Sequence, residues 1–209
     1  MNTTLLICIF AIIVGVFFAV LINIKKKKKR KEQSSQTKLL YAIAMKAFSS
    51  QKYEDAVKIF MFAGTQGSTE AMNMLGVCYE NGCGVPVLRD LALKYYTLAA
   101  EAGNSDAQFN LGRLYYIIGN EKYRKNIGGV YVEIGPKPTE PYEEDVLALK
   151  WMRLAAEQGS LKAQFGMGEL LMEGNGVDSA TYEEGRKWMK KAASAGFKPA
   201  IDYVDAKKL

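Results

Sequence analysis

The chain of 209 residues opens on an apolar run of twenty uncharged positions, Leu5 to Ile24 (LLICIFAIIVGVFFAVLINI), in which only Asn23 is clearly polar. At about 1.5 Å of rise per residue, a helix of that length crosses the roughly 30 Å hydrocarbon core of a bilayer. A secretory signal would need bases before the run, a shorter apolar core and a small-residue cleavage site. The preceding MNTT carries no base, so the pattern predicts an uncleaved transmembrane anchor over residues 1–24. Seven bases follow at once, Lys25, Lys26, Lys27, Lys28, Lys29, Arg30 and Lys31, and then the polar stretch EQSSQT of residues 32–37. Residues 25–37 are expected to form a polybasic juxtamembrane linker. Because flanking bases resist translocation, the N-terminus is expected outside and the remainder of the chain on the cytoplasmic side. The seven bases are also candidate contacts for anionic lipid headgroups.

From residue 38 onward the pattern changes to amphipathic helices that repeat. Ala-Gly or Gln-Gly pairs close apolar patterns at Gly67, Gly103, Gly159 and Gly196, with spacings of 36, 56 and 37, and Ala71, Ala107, Ala163 and Ala200 follow each glycine by four residues. One two-helix unit of about 36 residues is thus reused, with about 20 extra residues in one unit. The first helix of each unit carries Ala, Leu-Gly and Tyr on one stripe, as in Ala71, Leu75, Gly76 and Tyr79 or Ala107, Leu111, Gly112 and Tyr115; Ala163, Met167, Gly168 and Leu171 form a looser version. A glycine inside a helix costs about 1 kcal/mol, so its recurrence implies that another helix passes too close for a side chain. The second helices align as ALKYYTLAAEAG from Ala92, ALKWMRLAAEQG from Ala148 and GRKWMKKAASAG from Gly185. The closing glycines are expected to be left-handed helix stops, Ser105–Gln108 a capping box, and Gly82-Cys83-Gly84-Val85 and Gly174-Asn175-Gly176-Val177 matching turns. Trp151 and Trp188 share one repeat position and are expected in the core.

These pieces, A-x-x-x-L-G-x-x-Y, G-x-G-V and A-x-x-W/Y-x-x-x-A-A-x-x-G, resemble the Sel1-like repeat family, a relative of the tetratricopeptide repeats, over about residues 69–200. The resemblance implies an all-α fold, an α-solenoid of stacked antiparallel helix pairs preceded by the one transmembrane helix. The repeat domain would run over 38–209: a degenerate unit at 38–67, repeats at 69–104, 105–160 and 161–197, and a C-terminal cap at 198–209. It further implies an adaptor that holds a protein or peptide on a concave face lined by first helices. Candidate partner contacts on that face are Met74, Asn110 and Gly166, then Val77, Arg113 and Glu169. Asn110 and Arg113 lie one turn apart and suit a peptide backbone or carboxylate.

The unit 105–160 departs from the pattern through an insertion, residues 117–144. Pro136, Pro138 and Pro141 forbid a continuous helix there, while Val130–Ile134 alternates and is β-branched. A protruding loop with a small hairpin around Gly128-Gly129 is expected, with Tyr123, Arg124 and Tyr131 as partner contacts beside Lys122 and Lys125.

Composition narrows the chemistry. The net charge is +6, but without residues 25–31 the chain has 21 bases against 22 acids, so no nucleic-acid partner is expected. There is no histidine, which removes the commonest general base and the histidine-activated nucleophiles. No C-x-x-C, nucleotide-binding loop or isolated carboxylate pair stands out, and no catalytic residue, metal or cofactor is expected. Cys8, Cys78 and Cys83 do not make a disulfide scaffold; Cys78 and Cys83 are compatible with free thiols, a local disulfide or, least of all, metal binding. The expected function is a non-enzymatic, membrane-tethered adaptor on the cytoplasmic face of a bacterial inner membrane. The alternatives are a periplasm-facing envelope-maintenance protein and an immunity or regulatory protein that occludes a toxin or enzyme.

Overall fold

The computed structural model describes residues 3–122, 124–127, 130–134, 143–173 and 179–209, with side chains described in these except at 3–19, 21, 29–31, 124–127, 130–131, 133, 173 and 179–180. The chain forms two compact units, Met1–Ser68 and Thr69–Leu209.

The first unit is a helix pair, α1 (Thr3–Ser49) and α2 (Tyr53–Thr65). Residues 25–37 are helical within α1, where a linker was expected. The segment KKKKKRKEQSSQT contains neither glycine nor proline, and Lys, Arg, Glu and Gln are good helix formers. Nothing in it breaks a helix that the flanking residues already nucleate. Among the described side chains, no helix is long and apolar enough to cross a membrane. The pair packs around Phe60, which is fully buried, with Tyr41 and Phe48 at ring-centroid distances of 6.1 and 6.4 Å. Ala44, Ala56 and Ala63 are also fully buried and let the two helices approach.

The second unit contains α3 (Thr69–Asn81), α4 (Arg89–Glu101), α5 (Ser105–Glu121), the strands β1 (Arg124–Ile127) and β2 (Val130–Glu133), α6 (Glu143–Glu157), α7 (Leu161–Glu173), α8 (Ser179–Ser194) and α9 (Lys198–Lys207). α3 packs on α4, α5 on α6 and α7 on α8, while α4 on α5, α6 on α7 and α8 on α9 join each pair to the next. This is the expected α-solenoid of stacked helix pairs.

Close approach within each pair explains the helical glycines. A Cβ added at Gly76 would meet the Tyr96 ring at 2.5 Å, one at Gly112 would meet Met152 Cγ at 2.7 Å and the Ala148 carbonyl at 2.9 Å, and one at Gly168 would meet Met189 Cε at 2.8 Å. Tyr96, Met152 and Met189 occupy one repeat position and are the large residues at the centre of each pair, 0–3% exposed. Trp151 and Trp188 sit one residue earlier and are half-buried. Trp151 packs against the cluster around Tyr96 and Leu111, and Trp188 against the one around Met152 and Met167. The tryptophans therefore bridge successive pairs and do not fill a pair's centre.

The same device ends helix after helix. Gly67, Gly103, Gly159 and Gly196 have φ between 86° and 93°. In each case the N–H of the next residue returns to the carbonyl five positions back: Ser68 to Ala63, Asn104 to Ala99, Ser160 to Ala155 and Phe197 to Ala192, at 3.0–3.1 Å. These are Schellman closures, and they satisfy carbonyls that the helix ends leave over. The turn after α1 closes the same way, Lys52 N–H to the Ala47 carbonyl at 3.0 Å, but Gln51 takes the left-handed place with φ 60°. The cap of α5 is Asn104, whose side chain accepts from the Ala107 N–H at 2.8 Å; Ser105, the residue expected to cap, is already the first helical residue.

The insertion begins later than expected, because α5 continues through Glu121. Its hairpin is present, with β1 and β2 antiparallel and Arg124 opposite Glu133, Lys125 opposite Val132, Asn126 opposite Tyr131 and Ile127 opposite Val130. The turn expected at 174–177, Gly128-Gly129 and the three prolines at 136, 138 and 141 lie outside the described residues.

Candidate functional site

The first helices α3, α5 and α7 touch in succession and make one face of the second unit. Two polar rungs cross from α3 to α5. Asn110 Nδ2 donates to Asn73 Oδ1 at 2.9 Å, and the Arg113 guanidinium donates to both oxygens of Glu80 at 2.6 Å. From α4, the Tyr96 hydroxyl donates to Glu80 Oε2 at 2.8 Å. The Glu80 side chain is 17% exposed and that of Arg113 36%, so the rung is partly screened from solvent. Burial, and then the hydrogen bond to Glu80, push the Tyr96 phenol well above its ordinary value, which keeps it a protonated donor. The cluster is not repeated along the unit: Met152 and Met189 stand where Tyr96 does, and Tyr116 and Met172 where Glu80 does.

Sequence reasoning placed Asn110 and Arg113 on a common face, and both are half-buried residues of α5. Each is already engaged by α3. A partner carboxylate approaching Arg113 must compete with Glu80, so the pair presents a largely neutralised surface and not a free cation. Met74 on α3 and Glu169 on α7 are half-buried, as is Val77. Gly166 turns inward: its Cβ position lies 3.2 Å from Met152 Sδ and 3.6 Å from Phe109. Asn73, Glu80 and Tyr96 escaped sequence reasoning because their role arises between elements; the one available signal was Gly76, which implied only that another helix passes close by.

A repeated buried bond runs beneath this face. Gln108 Nε2 donates to the Ala100 carbonyl at 3.2 Å, and Gln164 Nε2 to the Ala156 carbonyl at 3.1 Å. Gln108 Oε1 accepts from Gln158 Nε2 at 2.7 Å. Gln164 Oε1 has no partner among the described residues, because the residue that corresponds to Gln158 one unit on is Ala195.

The base of the insertion is clamped. Arg89 makes a two-pronged contact with Glu121, at 2.6 and 3.0 Å, and Lys122 Nζ reaches Glu144 Oε2 at 2.6 Å. The Lys122 hydrogen bond holds the Glu144 carboxyl below its usual range. Gly119 permits the closure, since a Cβ there would lie 2.8 Å from Asp145 Oδ1. Of the expected insertion contacts, Arg124 lies in β1 and Tyr131 in β2; Tyr123 and the side chains of the other two are outside the described residues. Lys25, Lys26, Lys27 and Lys28 are exposed on α1, and Lys29, Arg30 and Lys31 continue the helix, their side chains likewise outside the description.

On the second-helix side, Arg153 NH1 meets Glu184 Oε1 at 2.6 Å, linking α6 to α8 and holding the Glu184 carboxyl below its ordinary range. Trp188 Nε1 donates to the same oxygen at 3.3 Å. Among the described residues no group of three or more His, Cys, Asp or Glu side chains is placed to hold a metal ion.

Comparison with known proteins agrees with the helix-pair geometry. The family model described as "Sel1 repeat" matches residues 69–104, 105–127, 143–160 and 161–197, more than half of the chain. The chain is 31% identical over 150 residues to chitin synthase regulatory factor 4 of Schizosaccharomyces pombe, covering 71% of this chain and 20% of that protein. It is 25% identical to the exopolysaccharide production negative regulator of Rhizobium meliloti, over 78% of this chain and 58% of that one. The chain therefore spans between a fifth and about three-fifths of the length of these relatives. Among solved structures, a Sel1 repeat protein from Oxalobacter formigenes is 32% identical with a TM-score of 0.58, covering 77% of this chain and 56% of that one. A protective antigen present in uropathogenic Escherichia coli strains is also 32% identical, with a TM-score of 0.62 over 87% of this chain and 36% of that one. A chain whose glycines, alanines and paired helices recur in this register, and which the repeat model matches unit by unit, belongs to the Sel1 repeat family.

Proposed function

We propose that this protein is a membrane-tethered, non-enzymatic adaptor whose repeat face holds a protein or peptide partner near the bilayer. The observation that carries this reading is the way the side chains of the second unit are spent. Its buried groups hold neighbouring helices together, and the half-buried residues Met74, Asn110, Arg113 and Glu169 lie along the first helices, with the hairpin carrying Arg124 and Tyr131 nearby in sequence. Two relatives are named as regulators, one of chitin synthase and one of exopolysaccharide production, which suits a protein that acts through partners. The tether rests on the uncharged run Leu5–Ile24 and the seven bases after it; those bases face anionic headgroups and keep the repeats on the cytoplasmic side of a bacterial inner membrane. Tethering raises the effective concentration of a bound partner, so modest affinity suffices.

Photo-crosslinking groups placed at Met74, Asn110 and Glu169 in the full-length chain in cells test the partner face, with Lys94 and Lys150 on second helices as references. Adducts are expected at the first-helix sites, and stronger capture at Lys94 and Lys150 would refute the assignment. Removal of residues 123–142 leaves α5 and α6 intact and reads the hairpin's share of the same adducts. The tether is tested separately: the chain is expected to stay in the membrane pellet at alkaline pH, and a reporter fused to Leu209 is expected to be active without export. Release from the pellet would remove the anchor from this account without touching the adaptor assignment.

A further inference from the structure

The end of α3 brings two thiols together. Cys78 lies in the last turns of the helix and is fully buried, while Cys83, in the turn that follows, is half-buried; both are free thiols. Between them Gly82 takes the left-handed conformation with φ 73°, and the Cys83 N–H returns to the Cys78 carbonyl at 3.0 Å. This is the same six-residue closure that elsewhere pairs Ala99 with Asn104 and Ala155 with Ser160. Such a closure frequently brings the first and sixth side chains into contact. Their backbones are one hydrogen bond apart, a separation compatible with the roughly 4.4–6.8 Å between Cα atoms that a disulfide spans. Burial, with Cys83 adding to it, pushes the Cys78 thiol up to about 12.

We propose that Cys78 and Cys83 are a modification site, forming a reversible intramolecular disulfide with low-molecular-weight disulfides such as oxidised glutathione. The more exposed Cys83, as thiolate, attacks one glutathione sulfur; the S–S bond breaks and the first glutathione leaves as a thiolate that takes up a proton. Cys78 then gives its proton to water or base and attacks the Cys83 sulfur, expelling the second glutathione. Two protein thiols are oxidised and one glutathione disulfide is reduced to two thiols. The burial of Cys78 makes the second step the slower one and its rate rises with pH, since only the thiolate attacks. The bond ties the end of α3 to the turn leading into α4. Val87 Cγ2 sits 3.0 Å from the Cβ position of Gly82 in that turn, and the Leu88 N–H bonds the Tyr79 carbonyl at 2.9 Å.

The test uses the full-length chain carrying Cys8→Ser, reduced, incubated with oxidised glutathione at mildly alkaline pH, then quenched with acid, unfolded, alkylated and cleaved after Glu80. The expected result is loss of alkylation at both cysteines, with the two peptides on either side of Glu80 joined and separated again by reductant. Cys78→Ser is expected to stop with glutathione on Cys83, and Cys83→Ser to keep an unmodified Cys78. Full alkylation at both positions, arrest at the mixed disulfide in the chain that has both cysteines, or a link between two chains would each overturn the proposal.

Discussion

At the scale of single residues, the structure turns on places where a side chain is missing or misplaced. Gly112 is the sharpest case. Alanine there gains about 1 kcal/mol of helix propensity, yet its Cβ meets the Ala148 carbonyl at 2.9 Å and the Met152 N at 3.1 Å, and backbone atoms cannot swing aside. Gly112→Ala is expected to destabilise by about 1–3 kcal/mol, measured by denaturant unfolding. Gln51 presents the opposite case. It occupies with φ 60° the place that glycine takes after the second helices, and a left-handed residue with a Cβ costs about 1–2 kcal/mol. Gln51→Gly is expected to stabilise the first unit by up to about 1 kcal/mol, because the greater freedom of glycine in the unfolded chain offsets part of the gain. Ala195→Gln would give Gln164 Oε1 the donor that Gln158 gives Gln108; a gain of about 1 kcal/mol in thermal unfolding is expected, and no gain would mean that the oxygen is already satisfied. The recurring glycines were legible in the sequence because their spacing is a pattern. The strain at Gln51 was not, since glutamine in a turn leaves no mark until its φ is known.

At the scale of elements, what carried over from the sequence was periodicity, and what did not was the end of each element. The pairing of helices, their closing turns and the hairpin all follow from residue spacing, whereas residues 25–37 read as a linker because polarity was mistaken for irregularity. A charged segment without glycine or proline stays helical when both flanks are helical. The extension of α5 to Glu121 was hidden for a related reason, since Ile117–Glu121 contains no stop except Gly119, and Gly119 is needed against Asp145. The Lys122–Glu144 clamp at the insertion and the Arg153–Glu184 pair between α6 and α8 are pH-sensitive. Glu144 and Glu184 have folded values below the ordinary carboxylate value, so their contribution is complete above that value and is lost as pH falls through it and beyond. Both are surface pairs, so each contributes less than about 1 kcal/mol. Measured against the intrinsic exchange rate, which itself slows in acid, protection at the start of α6 is expected to fall on acidification, and Lys122→Ala is expected to remove the part due to Glu144.

At the scale of the molecule, the second unit behaves as a chain of nearest neighbours. Within it, each helix pair packs only on its immediate neighbours, α4 on α5, α6 on α7 and α8 on α9, so a lesion is expected to stay local. The clearest test lies at the end. Ala200 is fully buried, and Phe165 meets Phe197 and Tyr203 at 5.7 and 6.3 Å, so α9 covers the outer face of the last pair. Removing residues 197–209 is expected to raise exchange in α7 and α8 while leaving α3 and α4 protected; a uniform rise would show that the unit unfolds as one. Sequence reasoning reached this architecture because repeats state it several times over. It reached the partner face only as a list of positions, because whether Asn110 or Arg113 is free depends on Asn73 and Glu80, which lie 37 and 33 residues away.

The seam between α5 and α6 has a consequence for how such a protein changes over time. Arg89 with Glu121, Lys122 with Glu144, and Gly119 beneath Asp145 shut the doorway behind the hairpin. The two helices meet as neighbours although the polypeptide departs and returns between them. The rest of the architecture is blind to how long that excursion is. Lengthening, shortening or exchanging it should leave the register of every other helix untouched, which makes this a port where new recognition sequences can be trialled without rebuilding the frame that displays them.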